Sequence, residues 1–421
     1  MKTKAVRLHG TFNLRLDEFE LPEIRENEIL AKVISDSLCM STYKAVKQGA
    51  NHKRVPNNLE WVPVVIGHEF AGEILYVGNK WKNRFFSGQK FAIQPALNYQ
   101  GSLAALGYSY PHIGGDATYV IIPNECMEMN CLLPYQGESY YEASLTEAYA
   151  CVCGAFHAMY HIPDRSRYAH VMGIKEGGCM ALLGGTGPMG LAAIDYIIHC
   201  DRRPAKLMVT GNSHARLERA QHLLTVEAAA KGGVELKYLN INNPGAKETL
   251  MAFTNGRGYD DVVVFAPVES VIELADSILG MDGCLNFFSG PSDVEFTSKV
   301  NFYNVHYAGT HMMGTTGSNT EDMEECLELI ADGKLNPAIL VSHVGGLNAA
   351  LDATLHMPEL TGAKKLIYTH VDMPLTAIAD FPKLGESDPF FSQLAEIIAK
   401  AGGLWNAEAE RYLLQKAGGN V

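Results

Sequence analysis

Charged residues and long apolar runs are both scarce in this sequence. Charged residues make up 19% of the chain and apolar residues 47%, a balance typical of a folded globular protein and not of a disordered one. The most apolar region, 180–200, is interrupted by glycines, Asp195 and His199, which argues against a membrane span there. The N-terminal residues lack the apolar stretch of a signal peptide. We therefore expect a cytoplasmic protein with no membrane partner.

Positively charged residues are also few relative to negatively charged ones. The 34 lysines and arginines are outnumbered by 47 aspartates and glutamates, which gives a net charge of −13. This balance argues against nucleic acid or an anionic membrane as a partner. It does not exclude an anionic small molecule, which needs only a local basic pocket. The nine cysteines are an odd number in a long chain, which predicts reduced thiols instead of a disulfide framework.

The local patterns predict two domains of different kinds. In residues 1–154, short strands such as 28–34 and 73–77 alternate with turn signals, which is typical of a mostly antiparallel, barrel-like domain. Residues 155–309 alternate strands and helices, which indicates a parallel, doubly wound sheet. In that region we predict strands at 179–183, 206–210 and 261–266, and helices at 188–199 and 213–223.

The rest of the chain divides at about position 370. Residues 310–370, with an amphipathic helix at 320–332, are predicted to return to the first domain. Residues 371–421 form a helical extension, with helices expected at 389–401 and 405–416. This extension carries no functional motif, so packing or an oligomer contact is the role that we expect for it.

A glycine-rich turn predicts a nucleotide site in the second domain. Gly185-Thr-Gly187-Pro-Met-Gly190 follows the strand 179–183 and opens the helix 188–199. In such a turn the first glycine allows the tight turn and the second lets the backbone approach a pyrophosphate. The third lets helix and strand pack closely. Without the flanking strand and helix, a glycine cluster would indicate only a turn.

The residues after the next strand favour NADP(H) over NAD(H). An acidic residue about 20 positions beyond the glycine turn would hold a ribose 2′-hydroxyl, but Gly211 stands there. Ser213 and Arg216 are available to bind a 2′-phosphate, and no carboxylate repels it. The alternative is that Arg216 only caps or solvates its helix. The predicted cofactor-binding residues are Gly185, Gly187, Pro188, Met189, Gly190, Gly211, Asn212, Ser213 and Arg216.

Potential metal ligands lie in the first domain. Cys39 follows an apolar strand, His68 and Glu69 are neighbours further along the chain, and Glu147 stands near the end of the domain. A thiolate, an imidazole and one or two carboxylates suit a catalytic zinc, which keeps one coordination position open. Each residue alone has a simpler explanation as a core or surface side chain. Their occurrence together with a nucleotide site favours zinc.

These motifs resemble those of the zinc-containing medium-chain dehydrogenases over about residues 1–370. The resemblance implies a GroES-like catalytic domain, a Rossmann domain and a cleft between the two. It also implies hydride transfer between a nicotinamide and an alcohol or ketone. The motifs occur in the order usual for the family: Cys39-x-Ser41, Gly67-His-Glu-x-x-Gly72, Gly114-Gly-x-Ala-x-Tyr-Val120 and the glycine turn.

The resemblance also implies roles for single residues. Cys39 and His68 match zinc ligands, while Glu69 and Glu147 match positions that bind zinc directly or through water. Which glutamate is the third ligand stays open. Ser41 matches the hydroxyl that passes the substrate proton towards solvent. The zinc acts as a Lewis acid on an alcohol or a ketone oxygen.

Two features depart from the family pattern. Many alcohol dehydrogenases carry a four-cysteine structural-zinc lobe where this chain has residues 94–115, a stretch without cysteine. We therefore expect one catalytic zinc and no structural zinc. In polyol dehydrogenases the serine is often followed by Asp and soon by His, where this chain has Thr42 and Lys44. The residues that continue the proton relay beyond Ser41 in those enzymes are therefore not matched in this chain.

A basic cluster follows the Cys39 motif and consists of Lys44, Lys47, His52, Lys53 and Arg54. Positive charge beside an active centre suits a phosphorylated substrate, although a solvated loop is the simpler explanation. The segments 39–44 and 52–56 resemble the L-sorbose-1-phosphate reductase branch of the family, which reduces a ketose phosphate to a hexitol phosphate. The catalytic residues that we predict are Ser41, Glu69 and Lys44.

The sequence thus predicts a zinc-dependent, NADP(H)-using polyol dehydrogenase or ketose reductase with a small-molecule substrate. The resemblance further implies a homo-oligomer, either a dimer or a tetramer. Two alternatives stay open. A zinc-free quinone or enone reductase of the same fold would not need Cys39, His68 and Glu147 together. A non-catalytic nucleotide-binding protein would bind the cofactor without turnover.

Overall fold

The structure is a computed structural model that describes residues 1–164 and 166–418. It contains two compact units. The first comprises residues 1–147, 319–331 and the chain from Pro337 onward, and the second comprises residues 148–318 and 332–336. Among the helices of the described residues, none has both the length and the apolar composition that a membrane crossing needs. The predicted domain bounds stay a prediction, and residues 419–421 of the predicted extension lie outside the described residues.

The strands of the described residues are numbered along the chain. They are β1 Lys2–Leu8, β2 Leu14–Glu20, β3 Ile29–Leu38, β4 Val64–Val65, β5 Phe70–Val77, β6 Lys90–Ile93, β7 Tyr119–Ile122, β8 Leu132–Pro134, β9 Tyr160–Asp164, β10 Ala169–Met172, β11 Cys179–Leu183, β12 Lys206–Gly211, β13 Glu235–Asn240, β14 Tyr259–Val264, β15 Leu279–Phe287, β16 His311–Met313, β17 Val341–Gly346, β18 Lys364–Tyr368 and β19 Thr376–Ala377.

The α-helices are numbered in the same way. They are α1 Met40–Gln48, α2 Asn124–Glu128, α3 Tyr140–Ala158, α4 Pro188–His199, α5 His214–Leu223, α6 Val226–Lys231, α7 Ala246–Phe253, α8 Glu269–Ser277, α9 Phe302–Tyr307, α10 Thr320–Ala331, α11 Leu347–Leu355, α12 Phe381–Leu384, α13 Pro389–Lys400 and α14 Ala407–Ala417.

The larger sheet of the first unit is built around β3. This strand pairs antiparallel with β18, β5 and β7, and the sheet runs in the order β19-β17-β18-β3-β5-β6-β8. Nearly every residue of β3 is buried, as a strand covered on both faces requires. A smaller sheet has the order β2-β1-β4. The predicted, mostly antiparallel architecture is confirmed, with β17 and β18 as a parallel pair.

The second unit contains a six-stranded parallel sheet in the order β13-β12-β11-β14-β15-β16. All five residues of β11 are buried, as expected for a parallel strand covered by helices. The strand order reverses between β11 and β14, so the carboxyl end of β11 is the switch point at which doubly wound sheets bind ligands. The predicted doubly wound sheet is confirmed. β11 and α4 have the predicted bounds, whereas β14 begins and ends two residues earlier than predicted.

The chain beyond residue 370 packs onto the first unit. It forms α12, α13, α14 and the short strand β19, and α13 and α14 lie within two residues of the helices predicted at 389–401 and 405–416. Apolar side chains of α13 and α14 share one core cluster with side chains of α3 and β18. That cluster includes Tyr141, Leu145, Tyr368, Leu394, Trp405 and Leu413.

Candidate active site

Cys39 lies at the junction between β3 and α1. It is the extended residue that precedes the helix (φ −124°, ψ 143°). Ser41 lies in the first turn of α1, and its Oγ donates a hydrogen bond of 3.0 Å to the Cys39 Sγ. Cys39 is half-buried, and desolvation raises the pKa of its thiol. The junction therefore presents a thiol and a hydroxyl side by side.

His68 follows a turn that favours glycine. Gly67 has φ +89°, and a Cβ there would lie 2.5 Å from Asp36 Oδ2. The buried His68 ring has partners at both nitrogens: Thr42 Oγ1 is 3.1 Å from Nδ1, and Ser41 Oγ is 3.1 Å from Nε2. Burial lowers the pKa of His68, which favours the neutral ring that binds metals. When Nδ1 donates to Thr42, the Nε2 lone pair is available to a metal ion.

Glu69 forms a buried ion pair with Lys364. Glu69 is 1% exposed and Lys364 5%, and the lysine Nζ contacts the carboxylate Oε1. Burial opposes the charge on Lys364, but the charges of Cys39 and Glu69 outweigh that effect and raise its pKa. Glu69 Oε2 is buried without a hydrogen-bond partner among the described residues. An unsatisfied buried carboxylate oxygen is costly, so a bound cation would stabilise it.

The structure brings three of the four predicted metal ligands together. One donor atom each of Cys39, His68 and Glu69 lies within 4.8 Å of the other two. Sulfur, nitrogen and oxygen donors suit zinc, and the unsatisfied Oε2 fits the same interpretation. Glu147, on α3, is outside this trio. Burial, followed by the charge of Glu69, raises the pKa of Glu147 to about 7, and His68 opposes this shift. Which of Glu69 and Glu147 is the third zinc ligand stays open.

Tyr108 belongs to this group although sequence analysis missed it. Its hydroxyl donates to Ser41 Oγ at 3.0 Å and lies 3.3 Å from His68 Nε2. Burial raises the pKa of Tyr108 well above its usual value, so the hydroxyl keeps its proton and remains a donor. Tyr108 comes from the irregular segment between β6 and β7, where no motif pointed to it.

Three members of the basic cluster approach this group. Lys44 is half-buried on α1, and burial lowers the pKa of its ammonium group while the charge of Cys39 opposes that shift. The His52 ring stacks on Tyr108, with centroids 5.7 Å apart and an interplanar angle of 11°. The guanidinium carbon of Arg54 lies 5.7 Å from the centre of the same tyrosine ring. Tyr108 therefore links the basic cluster to Ser41.

The other two members, Lys47 and Lys53, are exposed. Burial, followed by the charge of Arg54 and then of Lys53 and Lys44, lowers the pKa of His52 to about 4. His52 is therefore neutral near pH 7. Lys44 and Arg54 carry the positive charge that the structure places near Cys39 and Tyr108.

The glycine turn lies at the carboxyl end of β11. The left-handed residue here is Gly184 (φ +72°), and a Cβ at the following Gly185 would lie 3.0 Å from the Leu182 Cβ. A Cβ at Gly190 would lie 2.3 Å from the Gly185 backbone, whereas a Cβ at Gly187 would meet no atom within 4 Å. The tight packing at Gly190 and the open space at Gly187 fit a pyrophosphate at the start of α4. Pro188 and Met189 form the first turn of that helix.

The predicted 2′-phosphate residues follow the neighbouring strand β12. Gly211 is its last residue, and Asn212 is exposed. Ser213 caps α5, with its side-chain oxygen 3.4 Å from the Arg216 backbone nitrogen. The capping role that we considered for Arg216 therefore belongs to Ser213. The Arg216 side chain is exposed.

A second group of potential ligands lies in the second unit and consists of His161, Asp282 and His311. His161 Nδ1 is 3.1 Å from the Asp282 carbonyl, and Nε2 is 3.1 Å from Oδ1 of the buried Asp261. His311 Nε2 is 2.6 Å from the Tyr160 carbonyl. Since protein acceptors already contact these nitrogens, the group is a hydrogen-bonded network that joins β9 to β15 and β16.

Comparison with known proteins agrees with this fold and donor set. Residues 25–131 match the alcohol dehydrogenase GroES-like domain family. The chain is 49% identical to mannitol-1-phosphate 5-dehydrogenase of Aliivibrio fischeri, over 98% of each chain. It is 46% identical to L-sorbose 1-phosphate reductase of Klebsiella pneumoniae, over 99% of this chain and 98% of the relative. The crystal structure of 2R,3R-butanediol dehydrogenase from Bacillus subtilis is 20% identical with a TM-score of 0.70, and the match covers 87% of this chain and 99% of that one.

The two-unit architecture and the donor set define an oxidoreductase of the alcohol dehydrogenase type. The chain belongs to the zinc-containing medium-chain dehydrogenase/reductase family, as its full-length relatives show. The predicted fold class and the prediction that the chain is an enzyme are both confirmed. Zinc and a nicotinamide nucleotide are the cofactors that this family membership and the candidate ligands support.

Proposed function

We propose that this enzyme interconverts a ketose phosphate and a polyol phosphate with NADP(H). The observation that carries the proposal is the position of Lys44 and Arg54. Lys44 lies on α1, the helix that begins directly after Cys39, and is half-buried, and the guanidinium carbon of Arg54 lies 5.7 Å from the centre of the Tyr108 ring. Two cations therefore lie near the thiol, imidazole and carboxylate that suit zinc. The two relatives named for phosphorylated substrates support the same conclusion.

Each side chain has a separate task in this proposal. Cys39, His68 and either Glu69 or Glu147 would hold zinc, which supplies Lewis-acid activation of an alcohol or carbonyl oxygen when bound. Ser41 would relay the proton of the substrate hydroxyl towards solvent, releasing its own hydroxyl proton as it takes up the substrate's, and the transfer would run in reverse during reduction. Tyr108, which donates to Ser41 at 3.0 Å, orients that hydroxyl. Lys44 and Arg54 would bind the phosphate through charge-assisted hydrogen bonds.

NADP(H) is the nucleotide that we propose. The sequence from Gly211 to Arg216 has no carboxylate that would repel a 2′-phosphate, and the Arg216 side chain is exposed at the start of α5. The Ser213 hydroxyl accepts from the Arg216 amide but keeps its own proton to donate to an anion there. A preference for NADH in kinetic measurements would contradict this part of the proposal.

The test of the proposed function is a steady-state assay of NADPH and NADH oxidation. L-Sorbose 1-phosphate, fructose phosphates and the unphosphorylated ketoses are compared, before and after removal of metal with a chelator. Chelator-sensitive turnover with the phosphates only, and faster with NADPH, is the expected result. Turnover of an enone that survives metal removal would favour the zinc-free reductase. Nucleotide binding without turnover of any substrate would favour the non-catalytic alternative.

Lys44→Met should lower kcat/KM for a phosphorylated ketose by about 10- to 100-fold, since a charge-assisted hydrogen bond contributes about 1.5–3 kcal/mol. Most of this loss should appear in KM. Turnover of a neutral ketose should change little. Lys47→Met is the matched control, because Lys47 lies on the same helix but is exposed. An equal loss on phosphorylated and neutral ketoses would contradict the role of Lys44 in phosphate binding.

We further propose that the enzyme is a cytoplasmic homo-oligomer. All nine cysteines are free thiols, which fits a reducing compartment. Cell fractionation would test the cytoplasmic location.

The strand β16 is an edge of its sheet, and the preceding helix α9 exposes Phe302, Tyr303 and Tyr307. An unpaired edge beside exposed aromatic side chains suits a second copy of the chain. Tyr303→Glu should shift the mass measured by light scattering towards the monomer, and a monomeric wild type would contradict the proposal.

A further inference from the structure

Glu410 is a buried carboxylate on the C-terminal helix α14. It is 3% exposed, which is rare for a glutamate unless its oxygens are satisfied. Three donors satisfy them: Oε1 accepts from the Tyr140 amide at 2.6 Å, and Oε2 accepts from the Tyr141 amide at 2.8 Å and the Tyr368 hydroxyl at 2.9 Å. Trp405 Nε1 donates in turn to the Tyr368 hydroxyl at 2.8 Å.

The amide donors lie in the first turn of α3. Helix N-termini leave backbone N–H groups without intrahelical partners, and a local side chain usually satisfies them. Here the carboxylate arrives from a helix 270 residues later in the chain. Its negative charge is also favourable at the positive end of the helix dipole. Glu410 therefore caps the start of α3 and connects that helix to α14.

Glu410 contacts α3 through two amides and β18 through the Tyr368 hydroxyl. Both of these elements carry side chains of the candidate active site. α3 contains Glu147, two turns beyond the capped residues, and β18 begins with Lys364 and ends with Tyr368. Lys364 forms the ion pair with Glu69. A helix and a strand are stiff over these lengths, so a displacement at the Glu410 end is transmitted to the side chains at the metal-ligand end.

We propose that Glu410 is a positioning residue for the metal site, acting through α3 on Glu147 and through β18 on Lys364. The inference rests on the proposed zinc function. It gives the C-terminal segment a task beyond packing. The segment belongs to the part of the chain that the 46–49% identical relatives share almost completely.

The test compares zinc affinity with thermal stability in four purified proteins: wild type, Glu410→Ala, Glu410→Gln and Leu413→Ala. Zinc affinity is measured by competition with a chromogenic chelator, and the melting temperature is measured on the metal-free proteins. The measurements are made at pH 8, because burial raises the pKa of Glu410 to about 7 and the carboxylate must be ionised. Leu413 is fully buried on the same helix, so Leu413→Ala loosens α14 while the carboxylate is kept.

Glu410→Ala should weaken zinc binding by about tenfold, the lower end of what loss of an outer-shell partner costs. Glu410→Gln keeps one acceptor oxygen and should fall between wild type and alanine, and it serves as the test if the alanine variant does not fold. Leu413→Ala should lower the melting temperature and leave zinc affinity within about twofold of wild type. This change is smaller than the weakening of about tenfold that we expect for Glu410→Ala.

Two outcomes would overturn the inference in different ways. Equal zinc affinity in wild type and both Glu410 variants, or a loss in Leu413→Ala as large as in Glu410→Ala, would show that Glu410 only stabilises the fold. A wild-type protein that binds no zinc would overturn the proposed function together with the inference. Zinc binding by the wild type therefore shows whether only the inference about Glu410 has failed or whether the proposed function has failed with it.

Discussion

Cys39→Ala is expected to lose its zinc and to lower kcat/KM at least about a thousandfold, because the metal contributes several kcal/mol to transition-state stabilisation and each 1.36 kcal/mol is a factor of ten. Removal of the thiolate leaves His68 and one of the two alternative glutamates, fewer than the three protein ligands of a catalytic zinc site. Metal content by mass spectrometry of the purified protein and the ketose phosphate assay measure the two effects. The protein should stay folded, since Cys39 is only half-buried.

The matched control is another cysteine of the same unit. Cys126 is fully buried in an apolar cluster of the first unit. Cys126→Ala therefore makes the same substitution at a position that contacts no candidate ligand. It should retain one zinc per chain and nearly full activity, with a lower melting temperature. If Cys39→Ala kept its zinc, the metal would have to be assigned to other residues.

Elements with a strong local pattern could be predicted from the sequence with accurate bounds. The strand 179–183 and the helix 188–199 match β11 and α4 residue for residue, because an apolar run, a glycine turn and an apolar helix each leave a short-range signal. Cys39, His68 and Glu69 were recognised because motifs surround them, and their roles remain predictions. The positive φ of Gly184 could not be predicted, because a pair of adjacent glycines does not reveal which member adopts it.

Lys364, Tyr108 and Glu410 could not be predicted, for a common physical reason. Lys364 comes close to Glu69 because β18 pairs antiparallel with β3, with Lys365 opposite Leu38. That register joins strands more than 300 residues apart. Tyr108 arrives from an irregular segment, and Glu410 comes from a helix that shows only an ordinary amphipathic pattern. Such contacts are set by tertiary packing, which leaves no periodic signal in either partner's local sequence.

Gly187→Val is expected to raise the Kd for NADPH at least about 100-fold, which corresponds to about 2.7 kcal/mol, without unfolding the protein. Gly187 precedes α4 with φ −84° and ψ 180°, a conformation that valine adopts without strain. A Cβ there meets no protein atom within 4 Å, so the melting temperature should stay within about 2 °C of wild type. The branched side chain would instead occupy the space that the proposed pyrophosphate needs.

Gly190→Ala provides the contrast that makes this prediction specific. Its Cβ would lie 2.3 Å from the Gly185 backbone, so the helix must move away from the turn, at a cost of about 1–3 kcal/mol in the free energy of unfolding. We therefore expect Gly187→Val to lose binding but keep stability, and Gly190→Ala to lose stability. Fluorescence titration with NADPH and thermal unfolding of both variants separate these effects. Unchanged NADPH affinity in a folded Gly187→Val would mean that the phosphates bind away from this turn, and the open space at Gly187 would then need another explanation.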